Sequence, residues 1–272
     1  MLPAEQLMHA TVRLQCVLKN GTTSTGTGFF FSFKAAAGPI PVIVTNKHVI
    51  CDSVTGSFVL TKDGGDGQPL IGSTIVIELP NFENCWLKHP DPRIDLAVFP
   101  VTQLLRAAKD QGKPLFFRSL PETIIPDKKL LESLSGLDNV IMVGYPNGLW
   151  DQANNMPLFR RGITATSPRY DFNREPIFVI DCACFPGSSG SPVLIFDQGA
   201  YADARGDMFL GGRIILLGIL YAGPAHPVEG EIHVVDVPMK HVPISRSRIP
   251  NNLGYVVKSQ KLLEFKKIIH GE

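Results

Sequence analysis

Net charge is what this sequence has least of: 26 lysines and arginines stand against 25 aspartates and glutamates. That balance gives no electrostatic reason to expect nucleic acid or an anionic membrane as partner. The basic residues are also scattered, apart from pairs such as Arg160-Arg161 and Lys266-Lys267. Long apolar runs are missing too. The longest, Ile214 to Ala222, falls well short of the roughly 18 residues a membrane span requires and has the length of a buried strand. The first residues, MLPAEQLMHATVRL, hold an acidic residue but neither an apolar signal core nor a small-residue cleavage site. Cysteine is scarce. The five (Cys16, Cys51, Cys85, Cys182, Cys184) are odd in number and irregularly spaced, unlike a secreted disulfide framework. Free thiols in a reducing cytoplasm are the expectation, and Cys182 and Cys184 lack a zinc-knuckle spacing.

What is present is the punctuation of a β protein. The 272 residues, 44% hydrophobic, have room for one large domain or two β units of roughly 100–120 residues each. Val12, Leu14, Cys16 and Leu18 alternate with polar residues, as a half-buried strand does. Further strands are expected at Gly28–Phe31, Pro41–Val44, Ser73–Leu79, Leu96–Val101, Val140–Gly144, Ile177–Asp181, Pro192–Phe196, Arg213–Tyr221 and Gly254–Val257. The 25 glycines and 22 prolines break the chain between them. Two helices are expected, Thr102–Lys109 and Ser259–His270, the latter with Ser259 as N-cap. The polar segment Pro121 to Asp138 reads as a connection. The expected fold is therefore all-β. A domain over 8–257 divides into barrel units at about 8–115 and 137–257, with a linker over 116–136 and a C-terminal helix over 258–272.

Three residues carry candidate chemistry. Hydrolysis by serine needs a hydroxyl, a base for its proton, a carboxylate to orient the base, and donors for the developing oxyanion. Gly187 and Gly190 bracket Ser188-Ser189 just before the apolar run Pro192–Phe196, so the amides of Gly187 and Ser189 can point at one spot. An ordinary Gly/Ser hairpin turn would look the same. His48 ends the apolar run Val42-Ile-Val-Thr-Asn-Lys-His, where an imidazole can face a cleft as general base. Asp95 stands immediately before the apolar Leu-Ala-Val-Phe99, a place where turn aspartates are also common. The order His48, Asp95, Ser189 is that of the chymotrypsin fold, with the first two in the first unit and the serine in the second.

Thr45-Asn-Lys-His-Val49, Asp95-Leu-Ala-Val98, Val143-Gly-Tyr-Pro146, Arg161-Gly-Ile163 and Pro186-Gly-Ser-Ser-Gly-Ser-Pro192 together resemble the trypsin-like peptidases of the HtrA and glutamyl-endopeptidase type. The likeness runs in order from about Gly26 to Val257. It implies two six-stranded antiparallel β-barrels and peptide cleavage without cofactor or metal. It implies Ser189 as nucleophile, His48 as base and Asp95 as its orienter, with the Gly187 and Ser189 amides as oxyanion hole. No PDZ-sized segment follows the second unit. Ser188 stands where digestive relatives keep the aspartate that receives a newly cut N-terminus, so activity without N-terminal processing is expected.

By the same resemblance the specificity pocket falls to Ala183, Leu220, Tyr221, Gly223 and Gly254. Ala183 replaces trypsin's carboxylate and Leu220 replaces the histidine of glutamyl endopeptidases, so a small or medium apolar P1 residue is expected. The partner is then a protein or peptide substrate, with no nucleic acid and no membrane, and with room for a regulatory partner. A catalytically idle peptide-binding module, or a processing protease or esterase with one target, are the alternatives. Two insertions flank the cleft, Asp197–Gly212 and Pro224–Pro250. The second holds His226, His233 and His241 with Glu229, Glu231 and Asp236, at spacings that match no structural metal site.

Overall fold

The computed structural model describes residues 1–223, 225–231 and 244–270, with 225–231, 244–250 and residue 270 as backbone alone. The first half is one sheet of nine strands: β1 (Thr11–Leu18), β2 (Thr23–Phe33), β3 (Ile40–Thr45), β4 (Ser53–Asp63), β5 (Pro69–Pro80), β6 (Leu87–Lys88), β7 (Ala97–Pro100), β8 (Leu115–Phe116) and β9 (Leu120–Pro121). Its path runs β5-β4-β1-β2-β3-β7-β6, with β8 added on β4 and β9 on β2. The second half contains β10 (Asn139–Gly144), β11 (Leu158–Thr164), β12 (Ile177–Asp181), β13 (Pro192–Asp197), the hairpin β14 (Ala200–Ala202) and β15 (Met208–Leu210), β16 (Arg213–Ala222), the hairpin β17 (Ala225–Glu231) and β18 (Ile244–Pro250), and β19 (Leu253–Lys258). Six of these close a barrel in the order β10-β11-β12-β19-β16-β13. The six-stranded barrel expected for the second half is thus closed. The first half carries more strands on a path that hydrogen bonds leave open among the described residues.

Strand periodicity explains how the halves meet. On β2, Phe30 points into a core with Val12, Leu14, Ile43, Phe58 and Phe99. Its neighbours Phe29, Phe31 and Phe33 point the other way, into a cluster with Val42, Val44, Leu96 and Val98. That second cluster also takes in Leu194, Leu216, Ile219 and Val257 from the barrel, whose opposite face packs Val193, Ile195, Leu217 and Val256. Side chains alternate across a strand, so each strand serves its own core on one face and the shared seam on the other. This is why β2, β3 and β13 read as continuous apolar runs rather than clean alternations.

Helices are few and short: α1 (Pro3–Met8), α2 (Lys47–Ile50), α3 (Thr102–Asp110), α4 (Lys128–Ser133) and α5 (Lys266–His270). The expectation of only two helices missed α1, α2 and α4. The C-terminal helix is also different from its pattern. Ser259–Phe265 is 3-10 and only Lys266–His270 is α; Ser259 is no N-cap, its hydroxyl being buried without a partner among the described residues. The connection between the halves is structured, with β9, a 3-10 turn at Glu122–Ile124 and α4. No helix among the described residues is long and apolar enough to cross a membrane. The insertion Asp197–Gly212 forms the β14–β15 hairpin, while the side chains of His226, His233, His241, Glu229, Glu231 and Asp236 lie outside the described residues. All five cysteines are free.

Candidate active site

His48 sits in α2, a single helical turn that follows β3, rather than at the strand end itself. Asp95 lies in the loop before β7, which pairs antiparallel with β3. That pairing brings together residues 47 positions apart, and the contact is direct: His48 Nδ1 lies 2.5 Å from Asp95 Oδ2. The backbone amide of His48 donates to the other carboxylate oxygen, Oδ1, at 3.1 Å. With an ionised carboxylate at Nδ1, the proton of a neutral imidazole resides there and the Nε2 lone pair is left free. Asn46, the residue that precedes α2, donates from Nδ2 to the Asp95 carbonyl at 2.7 Å and so ties the two segments a third time.

The loop carrying Ser189 is bolted to the first half through backbone. The Ser189 carbonyl accepts from the Thr27 amide at 2.9 Å, and Thr45 Oγ1 donates to the Thr27 carbonyl at 2.7 Å. Gly190 lies so close that a Cβ there would stand 1.9 Å from Thr27 O and 2.6 Å from Thr45 Oγ1, and its φ is +89°. Only glycine fits that position. Thr45 is three residues before His48, so these contacts carry Ser189 to the end of β3 where the histidine stands. The Ser189 hydroxyl donates to the Tyr221 carbonyl at 3.4 Å, and that bond, rather than one to His48, is what it makes among the described residues.

The peptide Pro186–Gly187 has a defined orientation. The Pro186 carbonyl accepts from the Asn147 amide at 2.6 Å. A trans peptide directs its N–H opposite to its carbonyl, so the Gly187 amide turns away from Asn147. Thr27 Oγ1 fixes the next carbonyl, donating to Gly187 O at 2.9 Å while accepting from the Tyr145 amide at 3.1 Å. Neither the Gly187 nor the Ser189 amide donates to a partner among the described residues. Two unspent N–H groups beside a serine hydroxyl can receive an anionic oxygen. Gly187 has φ +85°, and a Cβ there would meet Tyr145 O at 2.6 Å. The Ser188 and Ser191 side chains are buried, and their hydroxyls have no partner among the described residues.

The expected pocket residues divide into two places, one of them around Cys184, which is not among those expected. Cys184, Leu220, Gly223 and Gly254 converge: a Cβ on Gly254 would stand 2.6 Å from Cys184 Sγ and 2.7 Å from Leu220 Cδ1, and one on Gly223 would stand 3.5 Å from Cys184 Cβ. Ala183, half-buried, adjoins Cys184. Burial pushes the Cys184 thiol up to about 12, so it is a neutral apolar wall. Tyr221 contributes its carbonyl to Ser189, but its ring lies elsewhere. It lines a cleft of about 270 Å³ with Arg93, Ile94, Asp95, Glu175, Pro176, Ile177 and Val257. Burial, then the neighbouring Tyr255 and Asp95, raise its phenol. The cause is a register shift between Leu220 and Ala222, which breaks strand alternation at Tyr221.

Thr27, Asn46 and Asn147 also hold the site, and none of them is among the candidate site residues of the sequence. Thr27 stands between two glycines in Gly26-Thr-Gly28, a pattern that signals close backbone approach. Asn46 was inside a recognised motif, but its bond to Asp95 depends on a strand pairing far along the chain. Among the described residues no three metal-capable side chains cluster.

Residues 26–201 match the trypsin-like peptidase domain family. Among solved structures, the chain is similar to an HtrA-type protease, AlgW, determined with a tripeptide, at 17% identity and a TM-score of 0.51 over 99% of this chain. It is similar to the serine endoprotease from Yersinia pestis at 15% identity and a TM-score of 0.51, again over 99% of this chain. The chain spans 63% and 65% of the lengths of those two proteins. At such identities the likeness is one of fold. No curated protein sequence matches the chain.

Proposed function

The chain belongs to the trypsin-like peptidase domain family, and from that premise we propose that it is a serine endopeptidase acting through an acyl-enzyme on Ser189. The observation that carries the reading is the His48–Asp95 pair at 2.5 Å, set beside a glycine-bounded serine whose neighbouring amides are unspent. In the proposed reaction the Ser189 hydroxyl swings from the Tyr221 carbonyl to His48 Nε2. The imidazole takes the proton as Oγ bonds to the scissile carbonyl carbon. Asp95 stabilises the imidazolium, and the Gly187 and Ser189 amides receive the oxyanion, a contribution of about 3–4 kcal/mol per donor in related chemistry. His48 then returns the proton to the leaving amine. Water, deprotonated by the same nitrogen, releases the acid and regenerates Ser189.

The reading of substrate choice is supported by the apolar surroundings of Gly223 and Gly254, where Cys184 and Leu220 bring no charge. They support a small or medium apolar P1 side chain, with discrimination of about 1–3 kcal/mol per methylene. A peptide-binding module without turnover is the competing reading, and the Ser189 hydroxyl resting on Tyr221 is the observation on its side. A fluorophosphonate probe separates the two. Covalent labelling that disappears in Ser189→Ala, together with cleavage after apolar residues in a peptide-library digest, is expected. Absence of labelling in the folded wild-type protein would refute the enzyme reading, and dominant cleavage after Arg, Lys or Glu would refute the pocket assignment.

A further inference from the structure

The loop that presents Asp95 is held from both sides, and one of its anchors is a histidine with no part in the proposed proton relay. His89 has a fully buried side chain at the foot of that loop. Its Nδ1 accepts the Asp91 backbone amide at 3.1 Å. An accepting Nδ1 has no proton, so a neutral ring carries its hydrogen on Nε2. That nitrogen faces the C-terminal segment, 3.2 Å from the Lys261 carbonyl and 3.3 Å from Glu264 Oε2. The ring also meets Phe265 edge-on at 5.1 Å between centroids. Burial lowers the imidazole's proton affinity, in keeping with the neutral tautomer.

The loop closes on itself around this anchor. The His89 amide donates to the Leu96 carbonyl at 2.9 Å and the Ile94 amide to the Asp91 carbonyl at 3.1 Å, so Asp95 sits inside a ring of short backbone bonds. On the other side Lys47, next to His48, donates from Nζ to the same Asp91 carbonyl at 2.9 Å. The Asp91 peptide is therefore held twice, its carbonyl by Lys47 beside His48 and its amide by His89, whose ring rests on the C-terminal segment. Phe265 is fully buried in the seam between the halves, which makes that segment a fixed support.

We propose that His89 is a positioning residue, which holds the Asp91–Asp95 loop against the C-terminal segment so that the Asp95 carboxylate meets His48. The proposal rests on the peptidase reading of His48, Asp95 and Ser189. Its chemistry lies in the acceptor at Nδ1. An asparagine can offer its side-chain oxygen to the Asp91 amide from nearly the same place, whereas a leucine fills the volume and offers nothing.

The test compares His89→Leu, His89→Asn and wild type on one peptide substrate, per folded molecule. His89→Leu is expected to lower kcat by about 10- to 100-fold with KM within twofold, the scale of a small misplacement of catalytic groups. His89→Asn is expected to recover most of that loss. The far-downfield proton resonance of the His48–Asp95 hydrogen bond is expected in wild type and His89→Asn, and to be lost or broadened in His89→Leu. If His89→Leu does not fold, His89→Gln is read in its place against His89→Asn. Wild-type kcat in the variant lacking the acceptor, or an equal loss in His89→Asn, would overturn the proposal. An inactive, unlabelled wild-type protein would instead strike the peptidase reading, leaving the resonance comparison to judge His89.

Discussion

The two halves hold their share of the site by different means. In the first, His48 and Asp95 are joined by side-chain hydrogen bonds between segments that β3 and β7 bring side by side. In the second, Ser189 rides on a loop whose shape is set by backbone packing, with Gly187 and Gly190 at positive φ and no space for a Cβ. A side-chain pair can lose its chemistry and keep its geometry. A loop seated backbone-on-backbone has no such margin. The contrast teaches where substitutions would be silent in stability yet fatal to turnover, and where the reverse order holds.

Three changes would break or sharpen that contrast. The largest effect is expected for Asp95→Asn, which keeps shape but alters the tautomer of His48. The kcat should fall about 10⁴-fold while thermal unfolding stays near wild type; a loss below tenfold would mean that Asp95 does not orient the base. Next is Gly190→Ala. A methyl group driven toward Thr27 O, on a backbone at φ +89°, should cost about 3 kcal/mol or more, read as a lowered denaturation midpoint along with lost activity. A stable, active variant would show that the serine loop is not pinned on β2. The smallest is Tyr145→Phe. The phenol is fully buried and its hydroxyl reaches across the seam to the Thr11 carbonyl at 3.3 Å. Its loss should cost about 1 kcal/mol in urea unfolding, with kcat unchanged; a drop in kcat would mean the seam bond tunes the active loop.

Legibility in the sequence followed the range of the determining interactions. Helix α3 was readable because Leu104, Leu105 and Ala108 fall on one side of a local helical period. The strand Ser53–Asp63 is not legible in the sequence although it bonds to β1, β5 and β8. Its SVTGSFVLTKD reads as mixed and glycine-broken, and its partners are what make it a strand. Ser259 resembles an N-cap by residue type, yet the next turn winds as 3-10 and its buried hydroxyl has no partner among the described residues. Tyr221 belongs to the expected pocket by resemblance alone, and the register shift between Leu220 and Ala222 that sets its direction is a property of the pairing with β19, not of its neighbours in sequence.

What the sequence determined by itself is the set of reactive residue types and their order: His48, Asp95 and Ser189, each at the border of an apolar run, with glycines where the chain must bend. Those features are local, because turns and strand borders are written in neighbouring residues. The 2.5 Å contact between His48 and Asp95, the turning of the Pro186 carbonyl onto Asn147, and the anchoring of the Asp95 loop by His89 were decided by tertiary structure alone. Each depends on groups distant in the chain, brought together by strand pairing and a shared apolar seam that no local pattern specifies.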